Sequence, residues 1–328
     1  MDATHARVDH AANHLVRAAV AAPSVHNTQP WLFTHREGEL DLYADPMRRL
    51  LLSDPDGREQ VISCGAALFN VRLAMRHLGF EPVVQPFPDP WNAAHLAHVR
   101  WGAYARPSTG ENWMYRALLQ RHTHRGPFQW SPLPRPLVGE LREHARAEGT
   151  DLYTVQSHHA RRHLAELVRT AEAMNREDPG RVAERVHWTR ATRDRSQDGV
   201  PLDACAGDPD GTGLAGREFL TRATRTPSAA SEVWPPGTGL AVLLTTRNDT
   251  PQDWLRAGQA LQRVLLHATV RWTAAAFHTQ PLEIPWLRAQ VRTTIARGEF
   301  PQMILRLGHA TRGRPTPRRQ ADAVLRPE

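Results

Sequence analysis

Apolar residues along the chain come in runs, and proline, glycine and aspartate separate the runs. His14 to Ala21 reads as the end of an alanine-rich helix. Trp31–Phe33 and Leu40–Tyr43 flank Arg36-Glu37-Gly38, which predicts a hairpin. Asp54-Pro55-Asp56-Gly57 is a loop with a cap for the helix that follows, Arg58 to Leu78. That helix is apolar nearly all round, so it is expected to be buried on most sides. Gly79 ends it in the left-handed style of a helix stop. Strands are expected within Pro82–Trp91 and over Leu96–Trp101, and helices over Leu137–Arg146 and Ser157–Arg176. The helix over Ser157–Arg176 carries Leu164, Leu167, Val168 and Ala171 on one side. Leu240 to Thr245 reads as a buried strand, a second long core helix opens at Asp253, and Pro301–Gly308 reads as a last strand. The pattern gives an α+β fold.

The chain also repeats. A shift of 193 positions lays Leu50-Leu51 on Leu243-Leu244 and Asp56 on Asp249. The same shift lays Gly65, Ala67 and Leu68 on Gly258, Ala260 and Leu261, and Val71 and Leu73 on Val264 and Leu266. Each copy holds an apolar run, an Asp/Pro loop and a long buried helix containing G-x-A-L.

Composition narrows the field. At 328 residues, 41% hydrophobic and 23% charged, the chain can bury a sizeable core without a disulfide or metal staple. Cys64 and Cys205 lie far apart, which fits a reducing compartment. No apolar run approaches the roughly 20 residues of a membrane helix, and no signal-peptide stretch precedes residue 22. A cytoplasmic protein without membrane contact is expected. The net charge is +7 and all of it on the basic side is arginine. Scattered among acids, the arginines argue against nucleic acid, although an arginine-rich nucleic-acid binder is the third function class considered. His158, His159 and His163 cluster, but no carboxylate or cysteine completes a ligand set, and no metal is expected.

Two stretches carry candidate chemistry. Ala22-Pro23-Ser24-Val25-His26-Asn27-Thr28-Gln29-Pro30-Trp31 joins a helix to a strand. Pro23 ends the helix and Pro30 forces Gln29 out of the helical region. Short polar side chains between them have hydrogen bonds to give, as they would in an ordinary connection or at a ligand. The second stretch, Arg121-His122-Thr123-His124-Arg125, spaces two arginines by four. On a helix that spacing puts both guanidinium groups on one face, toward one anion or toward solvent.

The word A-P-S-x-x-N-x-Q-P-W resembles the flavin-contacting loop of the nitroreductase family, and the V-H-N-T-Q-P-W form resembles its Acg-like branch. Arg121 to Arg125 resembles that family's phosphate signature, here R-x-T-x-R. The resemblance implies a nitroreductase-like fold of two tandem repeats, an intramolecular pseudo-dimer with central buried helices and antiparallel-rich sheets. Residues 1–112 would be the first repeat, and 113–328 the second, with a lid-like insertion at about 156–235. The first copy keeps the ring loop and the second keeps the phosphate signature. The chain is therefore expected to assemble one complete FMN site, leaving the pseudo-symmetric position empty.

By the same resemblance Pro23, Ser24, Val25, His26, Asn27 and Gln29 contact the ring system, and Arg121, Thr123 and Arg125 the phosphate. Gln280 and Glu283 match the segment beside the reactive edge of the flavin, and Arg318 or Arg319 adds a basic group to the phosphate. The implied function is an FMN-dependent oxidoreductase that passes electrons from NAD(P)H to a small organic acceptor, with no protein nucleophile. The alternative is a non-catalytic protein that sequesters FMN beneath its lid. A monomer (the fused pseudo-dimer) or a weak oligomer is expected.

Overall fold

The computed structural model describes residues 3–129, 131–192, 194–205, 214, 216–217, 219, 239–310 and 315–327. The first unit opens with helix α1 (Ala3–Ala19), a 3₁₀ turn at Val25–Asn27, and the hairpin β1 (Trp31–Arg36) and β2 (Glu39–Ala44). Helix α2 (Arg58–His77) and strands β3 (Phe80–Pro86) and β4 (His95–Tyr104) complete it. Asp54 starts α2: its carboxylate accepts from the backbone N–H of Glu59 at 3.0 Å and of Gln60 at 2.8 Å. Gly79, at φ +89°, turns the chain out of the helix as the sequence predicts.

Helices α3 (Thr109–Ala117) and α4 (Arg135–Arg146) lead into β5 (Asp151–Thr154). The unit boundary expected at 112/113 falls inside α3, whose capping box begins at Ser108. The stretch expected to be an insertion contains α5 (His158–Glu177), α6 (Pro179–His187) and the two short parallel strands β6 (Thr189–Arg190) and β7 (Val200–Pro201). Its remainder up to about 235 lies mostly outside the described residues. The chain then runs through β8 (Leu240–Thr246), α7 (Pro251–Val270), β9 (Ala274–Phe277), a 3₁₀ turn at Gln280–Glu283, α8 (Pro285–Thr294) and β10 (Phe300–Gly308). A later strand, β11 (Leu325–Pro327), follows the one expected to be last and pairs in parallel with β1.

The strands form two main sheets, ordered β11-β1-β2-β4-β3 and β5-β8-β10-β9. Set β11 aside and both read first, second, fourth, third strand of their own set. Helices α2 and α7 pack against each other between them. A Cβ on Gly65 would lie 2.3 Å from the Leu255 carbonyl, and one on Gly258 would lie 2.0 Å from the Ile62 carbonyl. The shift of 193 maps each of these contacts onto the other. Glycine is required at both positions because the backbones touch.

The sheets differ in exposure. The second buries Val242 and Leu244 against α4 and α7, and Ala241 and Leu243 against α5 and α8. Covering on both faces explains why β8 is an unbroken apolar run. In the first sheet β3 lies on an edge, and most of its residues are exposed. Among the described residues no helix is long and apolar enough to cross a membrane.

Candidate functional site

The loop between α1 and β1 is strained. His26, Asn27 and Gln29 all sit at positive φ (47°, 56° and 50°), a region costly for residues with a Cβ. Local and distant bonds hold them there. The Gln29 N–H donates to Ser24 Oγ at 2.9 Å, and the Val25 N–H donates to Ser63 Oγ at 3.4 Å. Asn27 Nδ2 donates to the carbonyls of Gly199 and Pro317 at 2.8 and 3.0 Å. Gln29 Nε2 donates to the Gln197 carbonyl at 2.7 Å. Arg48 bridges the Thr28 carbonyl and Asp198 at 2.8 and 2.9 Å. The insertion is thus pinned onto the loop through residues 197–199.

Some buried groups remain unpartnered. Neither ring nitrogen of His26 (5% exposed) has a hydrogen-bond partner among the described residues, and nor does Thr28 Oγ1. Burial, reinforced by the charges of Arg217, Arg185 and Arg125, holds the His26 pKa well below 6.5, so the ring is neutral. Phe219 of the insertion stands edge-on to it at 5.7 Å. Arg125 lies over the same Phe219 ring at 5.9 Å.

Arg121 and Arg125 do not share a helical turn. Helix α3 ends at Ala117, and Thr123 lies in an extended bridge to Ala275. The arginines converge all the same, because this segment runs beside β9 rather than along a helix. Arg121 is 3% exposed and makes one long bond, to the Ala21 carbonyl at 3.4 Å. Burial, and then the charge of Arg125, lowers its pKa to about 10.

Arg318 joins them. Burial, with Arg121 and Arg125 nearby, lowers its pKa to about 9. It donates to Asn27 Oδ1 at 2.9 Å, which ties the cluster to the loop. Arg319 turns elsewhere, donating to the carbonyls of Gln29 and Ala323, with Arg48, Asp45 and Asp198 as its charged neighbours. Among the described residues Arg121, Arg125 and Arg318 form no ion pair, and each keeps a buried guanidinium nitrogen without a partner.

Gln280 and Glu283 lie in the 3₁₀ turn, both buried. Arg217 forks onto both carboxylate oxygens of Glu283. Gln280 Nε2 lies 3.5 Å from Glu172, which pairs with Arg185 at 3.1 Å. Sequence reasoning missed Glu59, Ser63, Glu172, Arg185, Arg217 and Phe219. The one local signal was a glutamate in the first turn of a helix apolar on nearly every side.

Arg121, buried, and Arg125 and Arg318, partly buried, thus converge beside a strained polar loop in an α+β protein, with no carboxylate paired to them among the described residues. No protein-family model matches the chain. Three proteins of Mycobacterium tuberculosis H37Rv are similar to it. "Putative NAD(P)H nitroreductase Rv3131" is 34% identical over 314 residues, 94% of this chain and 88% of that protein. "Uncharacterized protein Rv3127" is 32% identical over 324 residues, 94% and 91% of the two chains. "Putative NAD(P)H nitroreductase acg" is 29% identical over 317 residues, 94% and 93%. The chain belongs to the nitroreductase family, in its Acg-like branch.

Proposed function

We propose that the protein is an FMN-dependent oxidoreductase of the nitroreductase type, taking electrons from NAD(P)H and passing them to a small organic acceptor. In this reading the chain is two tandem repeats, their boundary shifted from 112/113 to the start of α3 at about residue 108, folded as an intramolecular pseudo-dimer with one FMN at the seam. The matching strand orders and the reciprocal contacts of Gly65 and Gly258 support the repeats. The names of two relatives support the reaction class.

The observation that carries the reading is the cluster of Arg121, Arg125 and Arg318. Three cations are unfavourable to bury together unless an anion joins them. Their unpartnered nitrogens fit a phosphate, which accepts several charge-assisted bonds at once. Each such bond contributes about 1.5–3 kcal/mol. Thr123 stands between the two arginines, in an extended bridge to Ala275, and would add a hydroxyl to the same anion. The ring would lie against Pro23 to Asn27, with Gln29 bracing the loop from behind and Gln280 and Glu283 at its edge. When bound, FMN supplies the redox chemistry, and the protein supplies binding, orientation and electrostatics.

A second reading has its own observation. Phe219 stands against His26 and residues 197–199 are bonded to the loop, so the insertion would cover a ring bound there. A cover of that kind favours a protein that holds FMN away from substrates. Anaerobic mixing of the flavin-loaded protein with NAD(P)H separates the two. Rapid bleaching is the oxidoreductase outcome; lasting yellow colour sinks it and leaves the sequestering reading.

A further inference from the structure

A cavity of about 320 Å³ lies between the edge strand β3 and the helix pair α2 and α7. Pro82 and Val84 of β3 and Leu255 of α7 line it with apolar surface. Arg72 of α2, with Gln259 and Arg256 of α7, lines it with polar surface. Strand order and the shift of 193 say what this place corresponds to. β3 holds the position in its sheet that β9 holds in the other. β9 is the strand beside which Arg121–Arg125 run, with the His124 N–H donating to the Ala275 carbonyl at 2.8 Å. The shift lays Arg256 on Ser63, whose hydroxyl holds the loop at Val25. The cavity therefore falls where a counterpart of the candidate site would fall. Its chemistry differs, because Glu148 stands beside it and pairs with Arg72 at 2.6 Å and Arg263 at 2.8 Å. A carboxylate at that point opposes a phosphate, and the volume is at the small end of ligand pockets.

Two guanidinium groups on the cavity have donors to spare. Arg72 spends only Nη1, on Glu148 and on Gln259 Oε1, each at 2.6 Å. Among the described residues its Nε and Nη2 make no hydrogen bond, and Arg256 makes none at all. The acid paired with Arg256, Asp253, is 3.6 Å away, and the Arg256 side chain is 54% exposed, so the cavity is open to solvent at that end. Arg72, Arg256 and Arg263 against Glu148 and Asp253 leave one positive charge in excess.

We propose that this cavity is a second ligand site, for a small aryl monocarboxylate. The flat apolar body lies against Pro82, Val84 and Leu255. The carboxylate lies between Arg72 and Arg256, whose planar forks match it. A single excess charge suits a monoanion rather than a phosphate. The site goes beyond the flavin reading and needs no part of it.

The probe is naphthoate, titrated into the full-length protein and followed by amide chemical shifts. Saturable binding is expected with a Kd of about 1 mM or tighter, as for a ligand of this size. Arg256→Ala, on an exposed helix face, is expected to weaken it about tenfold or more, and the uncharged naphthylmethanol to bind wild type about tenfold more weakly. Arg121→Ala with Arg125→Ala is expected to leave naphthoate binding unchanged. No saturation by about 10 mM, a tenfold excess over that Kd, overturns the proposal, and so does affinity unaltered in Arg256→Ala. Binding lost in the Arg121→Ala, Arg125→Ala variant would put naphthoate in the arginine cluster and overturn it too, with the flavin reading left standing.

Discussion

Two helix-to-strand junctions stand at matching places in the two sheets, and they are built in opposite ways. Between α4 and β5, Gly149 takes the positive φ, and Thr150 Oγ1 donates to the Ala145 carbonyl at 3.0 Å. Glu148 pairs with Arg72 at 2.6 Å and Arg263 at 2.8 Å. That junction is relaxed and its charges are matched. Between α1 and β1 three residues other than glycine carry the strain; among the described residues His26 and Thr28 keep buried polar atoms without partners, and Arg121, Arg125 and Arg318 form no ion pair. Buried polar groups are usually partnered, so such a set calls for an explanation. The first junction is satisfied as structure, and the second is the candidate site.

The largest effect expected is on binding. Arg121→Ala with Arg125→Ala should weaken FMN binding by about 10²- to 10⁴-fold, as judged by two charge-assisted bonds lost, in a flavin-fluorescence titration. The flavin-free double variant should unfold at the same temperature as wild type or higher, because buried like charges have been removed. Glu148→Ala should do the reverse. It strands Arg72 and Arg263, which are partly exposed, and should cost about 2–4 kcal/mol in denaturant unfolding with FMN affinity unchanged. If Glu148→Ala loses flavin, the two junctions are not the opposites described.

Gly65→Ala and Gly258→Ala should each destabilise by about 1–3 kcal/mol or more, since a methyl group would meet backbone. The two losses should be alike, because each glycine meets the other's helix. Unequal losses would count against equivalent halves.

The smallest effects follow pH. Arg121 and Arg318 have folded pKa values of about 10 and about 9 against an ordinary 12.5, so the unfolded chain binds more protons between those values. The flavin-free protein should therefore gain stability as pH rises from about 9, and Arg121→Ala should reduce that gain. Glu59 has the opposite sign. Its pKa rises from 4.5 to about 8 on folding, so stability contributed by its proton is lost as pH climbs through that window. Glu59→Gln should flatten the thermal midpoint between about pH 5 and 8.

Much of the fold was legible because its signals are local. The hairpin around Gly38, the end of α2 at Gly79, the apolar β8 and both core helices follow from short-range pattern and turn chemistry. The close approach of α2 and α7 was legible too, since the glycines that the shift of 193 superposes, Gly65 and Gly258, are the ones whose helices touch. The site was legible in its parts. The loop and the arginines were named from their wording, but the helical turn assigned to Arg121–Arg125 was wrong, because α3 stops short of them. Nothing local distinguishes Arg318 from Arg319. Only the fold, which sets one against Asn27 and the other against Ala323, separates them. Glu59 stayed hidden for a related reason: Arg58 and Asp54 are near it in sequence, but Glu283 and Arg217 reach it from elements more than a hundred residues away. The parallel pairing of β11 with β1 joins the two ends of the chain and left no pattern in either.

The flavin content of the purified protein, measured as FMN released per chain on denaturation, bears most directly on a single divided site. One FMN per chain is expected, falling toward zero in the Arg121→Ala, Arg125→Ala variant. Two per chain, or one per chain retained by that variant, would contradict it.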